Sequence, residues 1–189
     1  MQLLRYEFWQ QVRSLKVEDL IFIDESGVNL AMVRLYARSL RGRARVRRPH
    51  KRGKNVSIIG AISVKKVVAS VNLLGGTDGI IFEAFILHQL VPKLAKGACV
   101  LIDTYSIHKV KEVEKFIEAV GVRVIYLPRY SPDFSLSENF GSKVKSTLRC
   151  LGTRTYQALE SAIANAFSQV SEPDIRNWFT HCCYCTSLT

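Results

Sequence analysis

Two apolar runs that each end in an aspartate constrain this sequence most. LIFID (20–24) and ACVLID (98–103) are continuous and contain β-branched residues, so each is predicted to be a buried strand. A carboxylate at the end of a buried strand lies at the edge of a sheet, where α/β proteins bind ligands. It is costly there unless it is paired, hydrogen-bonded or bound to a metal. Asp24 and Asp103 are therefore candidate site residues, although each could simply cap the turn that follows.

The order of the predicted elements favours an α/β fold in one domain. The early strands are joined too closely for parallel crossovers, whereas helices separate the later ones. We therefore predict a mixed sheet, antiparallel strands followed by parallel strands, with helices on both faces. Predicted strands cover 20–24, about 30–36, 56–64, 67–74, 98–103 and 122–128, and predicted helices cover 3–15, 81–96, 110–121, 136–151, 155–170 and 172–185. Pro92 predicts a kink or an early end in the second helix.

The segment YLPRYSPDFSLSENF (126–140) returns the chain to the sheet edge that carries Asp103. Glu138 follows Asp103 by one predicted helix, one strand and this loop, with 34 residues between them. If their strands are neighbours, Asp24 and Asp103 repel each other, and a hard cation such as Mg²⁺ removes that penalty. Two alternatives need no metal: Ser135-x-x-Glu138 matches a capping box, and Ser131-Pro132-Asp133 is good turn chemistry.

Most of the net charge of +11 lies in one segment. Residues 38–54 contain nine Lys or Arg residues and no acid, whereas the remainder carries 18 basic and 16 acidic residues. Such a tract favours the phosphate backbone of nucleic acid, and the Arg excess suits phosphate because the planar guanidinium bonds two oxygens at once. The alternatives are a solvated loop, or a tract for an acidic protein or a membrane surface. The nine residues are Arg38, Arg41, Arg43, Arg45, Arg47, Arg48, Lys51, Arg52 and Lys54.

The cysteines and the hydropathy indicate the compartment. No apolar run approaches the ~18 residues needed to span a bilayer, and the N-terminus is not a signal peptide. We therefore expect a soluble, cytoplasmic, nucleoid-associated protein with reduced thiols and no membrane partner. The cluster HCCYC (181–185) lacks the paired spacing of a zinc site, so we interpret its cysteines as small buried or tail thiols.

Five motifs resemble the bacterial insertion-sequence transposases of the mariner superfamily, which have a DDE catalytic domain with the ribonuclease H-like fold. They are FIDESG (22–27), the basic segment, KNVSIIGAIS (54–63), LIDTYSIHK (101–109) and YLPRYSPDFSLSENFGSKVK (126–145). The resemblance implies that Asp24, Asp103 and Glu138 form a catalytic triad that binds two Mg²⁺ or Mn²⁺ ions. It selects Asp24 over Glu25, which should face the other way on the strand. Asp133 matches the family's loop motif but not its triad, so we interpret it as a turn residue or as a support of the site from outside the triad. His108 and Lys109 match the end of the second motif; they are expected to approach DNA or to orient the site, and a purely structural role for His108 stays an alternative.

The resemblance also implies partners and a domain organisation. The partners are double-stranded DNA, both transposon ends and target, and a second copy of the chain when DNA is bound. Residues 1–189 are expected to be a single DDE catalytic domain without the N-terminal helix-turn-helix module of full-length relatives. Within it we expect a leading helix (1–18), a basic hairpin or loop (38–54) and C-terminal helices (153–189). The chain lacks the helix-entry proline that the family has at position 136 and its tryptophan near 141, and this departure is expected to loosen the helix that carries Glu138. Gly141 inside that helix costs about 1 kcal/mol relative to alanine.

Three functions stay open at this point. The first is a transposase catalytic domain that cuts DNA strands and transfers them. The second is a DNA-binding remnant without catalysis, and the third is a stand-alone ribonuclease H-like nuclease. Metal-dependent cleavage separates the first and third from the second, and joining of a 3′-hydroxyl end separates the first from the third.

Overall fold

The computed structural model describes residues 2–34, 36–39, 42–45, 51–103 and 111–185. The strands are β1 (Leu20–Val28), β2 (Tyr36–Ser39), β3 (Gly42–Arg45), β4 (Val56–Ser63), β5 (Val67–Leu74), β6 (Cys99–Ile102) and β7 (Arg123–Tyr126). The α-helices are α1 (Gln2–Val12), α2 (Gly79–Phe85), α3 (Lys111–Ala119), α4 (Ser137–Leu151), α5 (Tyr156–Ser168) and α6 (Glu172–His181). None of the helices in these ranges is both long and apolar enough to cross a membrane.

The central sheet has the predicted mixed topology. Its five strands lie in the order β5-β4-β1-β6-β7. The β5–β4 and β4–β1 pairs are antiparallel, and the β1–β6 and β6–β7 pairs are parallel. Each face of the sheet has its own buried core, one shared with α1, α4, α5 and α6 and the other with α2 and α3. Successive residues of β1 point to opposite faces of the sheet, so Phe22 enters the first core and Ile23 enters the second.

The sequence predicted that strand β1 ends at Asp24, but the strand continues to Val28. The parallel pairing with β6 stops at Ile23, but the antiparallel pairing with β4 continues to Val28. The polar residues after Asp24 hide this continuation in the sequence, whereas the apolar start of β4 provides the strand that pairs with them. Asp24 is therefore the first residue beyond the parallel ladder and lies within the antiparallel one.

Two other predicted elements differ from the structure. No strand forms over residues 30–34; the Asn29 side chain instead accepts a hydrogen bond from the Ala31 N–H (3.0 Å), which is typical of a turn. The helix predicted over 81–96 ends early, as Pro92 indicated. Helix α2 stops at Phe85, and a π-helical turn (Ile86–Leu90) and a 3₁₀ turn (Val91–Lys93) follow it.

Helix α4 packs closely against the sheet beside Asp24. Its apolar residues recur every four positions on the buried face: Leu136, just before the helix, then Phe140, Val144 and Leu148. A Cβ added to Gly60 would lie 3.3 Å from the Phe140 ring, and one added to Gly141 would lie 3.3 Å from Ser26 Oγ. Both contacts are tighter than ordinary van der Waals distances. Gly141 therefore has a packing role within an unbroken helix.

Candidate active site

Asp24 and Asp103 follow the same rung of the parallel β1–β6 ladder. Ile23 pairs with Ile102, and each aspartate is the residue that follows this pair in the chain. Neighbouring strands lie about 4.8 Å apart, so the two backbones are adjacent at this edge. By alternation, both aspartates fall on the face shared with α4, because Phe22 and Leu101 two residues earlier enter that core. Glu25 falls on the opposite face and is exposed.

The environment of Asp24 disfavours its charge. The pKa of its carboxyl group is raised to about 7, mainly by burial and to a smaller extent by the charges of Asp103 and Glu25. A hydrogen bond from the Glu25 backbone and the charge of Lys145 act in the opposite direction. The Asp24 carboxylate is thus repelled by Asp103 and attracted by the Lys145 ammonium group on α4. A carboxylate in this situation is stabilised by positive charge.

Glu138 and Asp103 line the same cleft. Glu138 is exposed in the first turn of α4. The cleft has a volume of about 230 Å³, and the loop between β7 and α4 forms most of its wall. The other lining residues are Leu127, Pro128, Tyr130, Ser131, Pro132 and Ser135. The loop therefore returns the chain to the edge that carries Asp103, as its position in the sequence predicted.

The capping-box interpretation of Glu138 does not fit the start of α4. The N-cap residue is Leu136, not Ser135, and Leu136 makes no side-chain capping hydrogen bond. Helix α4 therefore begins one residue later than the capping-box motif requires.

Asp133 has a structural partner that is 128 residues away in the sequence. Its two carboxylate oxygens accept hydrogen bonds from the Arg5 guanidinium at 3.0 and 2.6 Å. Arg5 also donates to Ser131 Oγ at 3.0 Å and lies 4.2 Å from the centre of the Phe134 ring. This ion pair lowers the pKa of Asp133 through the hydrogen bond from Arg5. Helix α1 thereby holds the loop that leads to Glu138.

The end of the described chain holds the same loop from the other side. The Tyr184 hydroxyl donates to the Phe134 carbonyl at 2.7 Å, and the Cys182 thiol contacts the Ser135 carbonyl at 3.5 Å. The Phe134 ring stacks on Phe8 of α1 with centroids 5.3 Å apart. Cys182 is buried and serves packing, as the interpretation of HCCYC predicted for part of that cluster.

The basic segment is described only in part. Arg38 lies on β2, and Arg43 and Arg45 lie on β3, which pairs antiparallel with β2. Lys51, Arg52 and Lys54 are exposed. Five predicted site residues fall outside the described ranges: three arginines of the basic segment and two residues that follow Asp103, namely Arg41, Arg47, Arg48, His108 and Lys109.

The chemistry of the carboxylates fits a hard divalent cation, since such ions take oxygen ligands and tolerate few protein groups. The structure associates the three in pairs, with Asp103 as the common member: it follows the same rung as Asp24 and shares a cleft with Glu138. Within the described residues, no three His, Cys, Asp or Glu side chains converge closely enough to hold one metal ion.

Lys145 and Arg5 are two site residues that sequence reasoning missed. Lys145 lies two turns after Glu138 with Gly141 between them, and this i, i+3, i+7 spacing places all three on one face of α4. That periodicity was visible in the sequence. No local pattern could have indicated Arg5, because its partner is so distant along the chain.

A family model described as a DDE superfamily endonuclease matches residues 19–161. No curated protein sequence matches the chain significantly. The matched range includes both aspartates, Glu138 and the basic segment, and it spans well over half of the chain.

Among solved structures, the chain is similar to several of the Mos1 transposase. A pre-cleavage Mos1 transpososome superposes with a TM-score of 0.75 at 12% identity, over 96% of this chain and 58% of that one. The catalytic domain of Mos1 mariner transposase gives 0.66 at 11% identity, over 97% and 86%. A mariner Mos1 paired-end complex with Mg gives 0.71 at 14% identity, over 96% and 58%. The likeness confirms the predicted ribonuclease H-like fold, and the chain spans little more than half of the full Mos1 chains.

Proposed function

Because this chain belongs to the DDE superfamily of endonucleases, we propose that it is the catalytic domain of a mariner-like transposase of a bacterial insertion sequence. It cuts DNA strands and joins a 3′-hydroxyl end to a target strand. The observation that carries the proposal is that Asp24 and Asp103 each follow the last pair of the parallel β1–β6 ladder, on the sheet face covered by the helix that bears Glu138. Three carboxylates from distant segments are then directed to one edge.

We assign Asp24, Asp103 and Glu138 as the ligands of Mg²⁺ or Mn²⁺, with two ions per site. Similar Mos1 complexes are described with Mg and with Mn. When bound, such ions activate the attacking oxygen and stabilise the leaving oxygen of the phosphodiester. The burial of Asp24 and its repulsion from Asp103 support the assignment, because positive charge relieves both.

The protein side chains position and neutralise, and no covalent intermediate on the enzyme is required. Asp24 and Asp103 are positioned by the parallel pair Ile23–Ile102 that precedes them. Glu138 follows the loop that Arg5 and Tyr184 contact. Lys145 offsets carboxylate charge at Asp24. Strand cleavage with water and joining with a 3′-hydroxyl are the same in-line displacement, so one arrangement serves both.

The proposed partner is double-stranded DNA, as transposon ends and as target. The similar Mos1 structures include a paired-end complex with a left transposon end and a strand transfer complex. The basic segment 38–54 supplies the charge for phosphate contacts. The chain acts as a homodimer when it is bound to two ends.

The test begins with Mn²⁺ binding measured by calorimetry on the wild type, on Glu138→Gln and on Glu160→Gln. Glu160 is an exposed carboxylate on α5 and serves as the matched control. We expect Glu138→Gln to weaken binding at least tenfold and Glu160→Gln to leave it unchanged. Equal binding by all three proteins would remove Glu138 from the site.

Assays on DNA then separate the remaining functions. A Mn²⁺-dependent cut followed by joining of a 3′-hydroxyl end supports the transposase. The remnant is favoured by one observation, that the three carboxylates do not converge on one ion among the described residues, and it predicts neither reaction. Cutting without joining would indicate the stand-alone nuclease, which the endonuclease description of the family model favours.

A further inference from the structure

Three backbone segments meet at the junction between α4 and α5. The Arg34 N–H donates to the Arg149 carbonyl at 3.2 Å, where α4 is about to end. A Cβ built on Gly152 would lie 3.7 Å from the side chain of Val33. At the C-terminal end of the basic segment, the N–H of its last residue, Lys54, donates to the Tyr156 hydroxyl at 2.6 Å. Hydrogen bonds of backbone N–H groups thus attach both the residues just before the basic segment and the last residue of the segment to one corner of the domain, the α4–α5 junction.

This corner carries six exposed cations, which we call the corner patch: Arg34, Lys51, Arg52, Lys54, Arg149 and Arg154. Three of them lie outside the basic segment and come together with it only in the fold. Among the described residues, the ion pairs involve Arg5, Lys115, Lys143 and Arg176, and no member of the corner patch. The patch therefore presents unneutralised charge on an anchored backbone.

The corner patch lies at the far end of the helix that begins beside the carboxylates. Glu138 and Arg149 are eleven residues apart on α4. At ~1.5 Å per residue this is about 16 Å along the helix axis. Phosphates along one strand of a duplex are spaced by ~3.4 Å, so this separation equals about five base pairs.

We propose that the corner patch binds the phosphate backbone of the DNA duplex that is cut at the carboxylates, about five base pairs from the scissile phosphate. The proposal rests on the proposed function and adds Arg34, Arg149 and Arg154 to the DNA-contacting residues. Arginine predominates in the patch, and its planar fork bonds two phosphate oxygens at once. Contacts to phosphates fix the register of the duplex without reading its sequence.

Duplex DNA is favoured over an acidic protein because of what the patch is attached to. It is continuous with the basic segment and with the helix that carries Glu138, so a ligand that spans both must be long, stiff and uniformly charged. A duplex meets these requirements, with one charge per ~1.7 Å of its axis. The anchoring bonds also reduce the ordering that binding requires, and this favours affinity.

The test compares two double variants that lose equal charge. Arg149→Gln with Arg154→Gln changes the corner patch, and Lys65→Gln with Lys66→Gln changes two exposed lysines in the turn at the opposite end of β4. Binding of a 30-base-pair duplex is followed by fluorescence anisotropy at several salt concentrations. We expect the first variant to bind at least tenfold more weakly at 0.1 M salt and to reduce the salt slope by about 2, at ~0.9 per lost phosphate contact. We expect the lysine control to retain the wild-type slope.

The other outcomes separate this proposal from the proposed function. An unchanged salt slope in the first variant overturns the corner patch, even if the wild type cuts DNA with Mn²⁺. Competition by polyglutamate or duplex RNA as strong as by duplex DNA overturns it in favour of those partners. A reduced slope together with no Mn²⁺-dependent cutting by the wild type retains a DNA-binding corner and removes the catalytic assignment. Melting temperatures of both variants near that of the wild type show that each is folded.

Discussion

Asp24 is paired across the β1–β4 ladder with Gly60, and the ring of Phe140 covers that glycine. The missing side chain at Gly60 lets α4 approach the sheet beside the candidate metal ligand. A single glycine thus sets the height of the helix that carries Glu138 above Asp24.

Substitution of Gly60 tests this contact. A Cβ at this position would lie 3.3 Å from the Phe140 ring, and forced overpacking in a buried site costs about 1–3 kcal/mol. We expect Gly60→Ala to lower the free energy of unfolding by that amount, measured by urea denaturation, and to weaken Mn²⁺ binding. The matched control is Gly27→Ala on β1, where nothing lies within 4 Å of the added atom. Equal stability of the two variants would contradict the contact.

The ion pair between Arg5 and Asp133 predicts a dependence on pH. The pKa of Asp133 is lowered in the folded protein, so the pair contributes stability above the unfolded value of about 3.9. This contribution is lost as pH falls below 3.9 and through the folded pKa. We therefore expect Arg5→Ala to lower the melting temperature at pH 7, and to lower it by progressively less as the pH falls below about 3.9. A constant difference between the two melting curves at every pH would assign the effect of Arg5 to its packing on Phe134.

Removal of the Tyr184 hydroxyl tests the second contact to the loop. Tyr184→Phe leaves the Phe134 carbonyl without this donor, and a lost hydrogen bond of this kind costs about 0.5–1.5 kcal/mol. Urea denaturation measures the loss, and Tyr6→Phe, at a tyrosine that is 61% exposed, is the control. Weaker Mn²⁺ binding by Tyr184→Phe, but not by Tyr6→Phe, would link the contact to the position of Glu138.

The Asp24 carboxylate is expected to destabilise the metal-free protein and to be required for Mn²⁺ binding. Its half-buried carboxylate loses hydration and is repelled by Asp103, so Asp24→Asn should raise the melting temperature of the metal-free protein at pH 8. Mn²⁺ should raise the melting temperature of the wild type, because a ligand that binds the folded state stabilises it. It should leave that of Asp24→Asn unchanged. A destabilised Asp24→Asn protein would instead show that the carboxylate serves the fold.

The sequence predicted the mixed topology of the sheet and the strand that ends just before Asp103, because both follow from apolar runs and the lengths between them. Strand β5, for example, covers the predicted 67–74. It could not predict where β1 ends, because Glu25 and Ser26 are polar and their strand conformation depends on pairing with β4. Long-range pairing of this kind leaves no local periodicity.

The candidate site divides in the same way. Glu138 and the two aspartates were predicted from strand ends and from the resemblance, and their roles stay predictions. The support around them was not predicted. Arg5 and Tyr184 act on the loop through contacts that span 128 and 50 residues. Ser135 and Glu138 matched a capping motif, but the helix begins one residue later than that motif requires.

Arg5 and Tyr184 also have a consequence for how the domain tolerates trimming. They lie near opposite ends of the described chain, yet both grip the four residues from Ser131 to Phe134. The position of Glu138 therefore depends on both terminal regions of the described chain, because each of them contacts this one loop. Proteolytic removal of the first dozen residues would remove the Arg5 contacts, and removal of the residues after α6 would remove the Tyr184 contact. Either cut would free the same loop, although neither is close to the carboxylates in sequence.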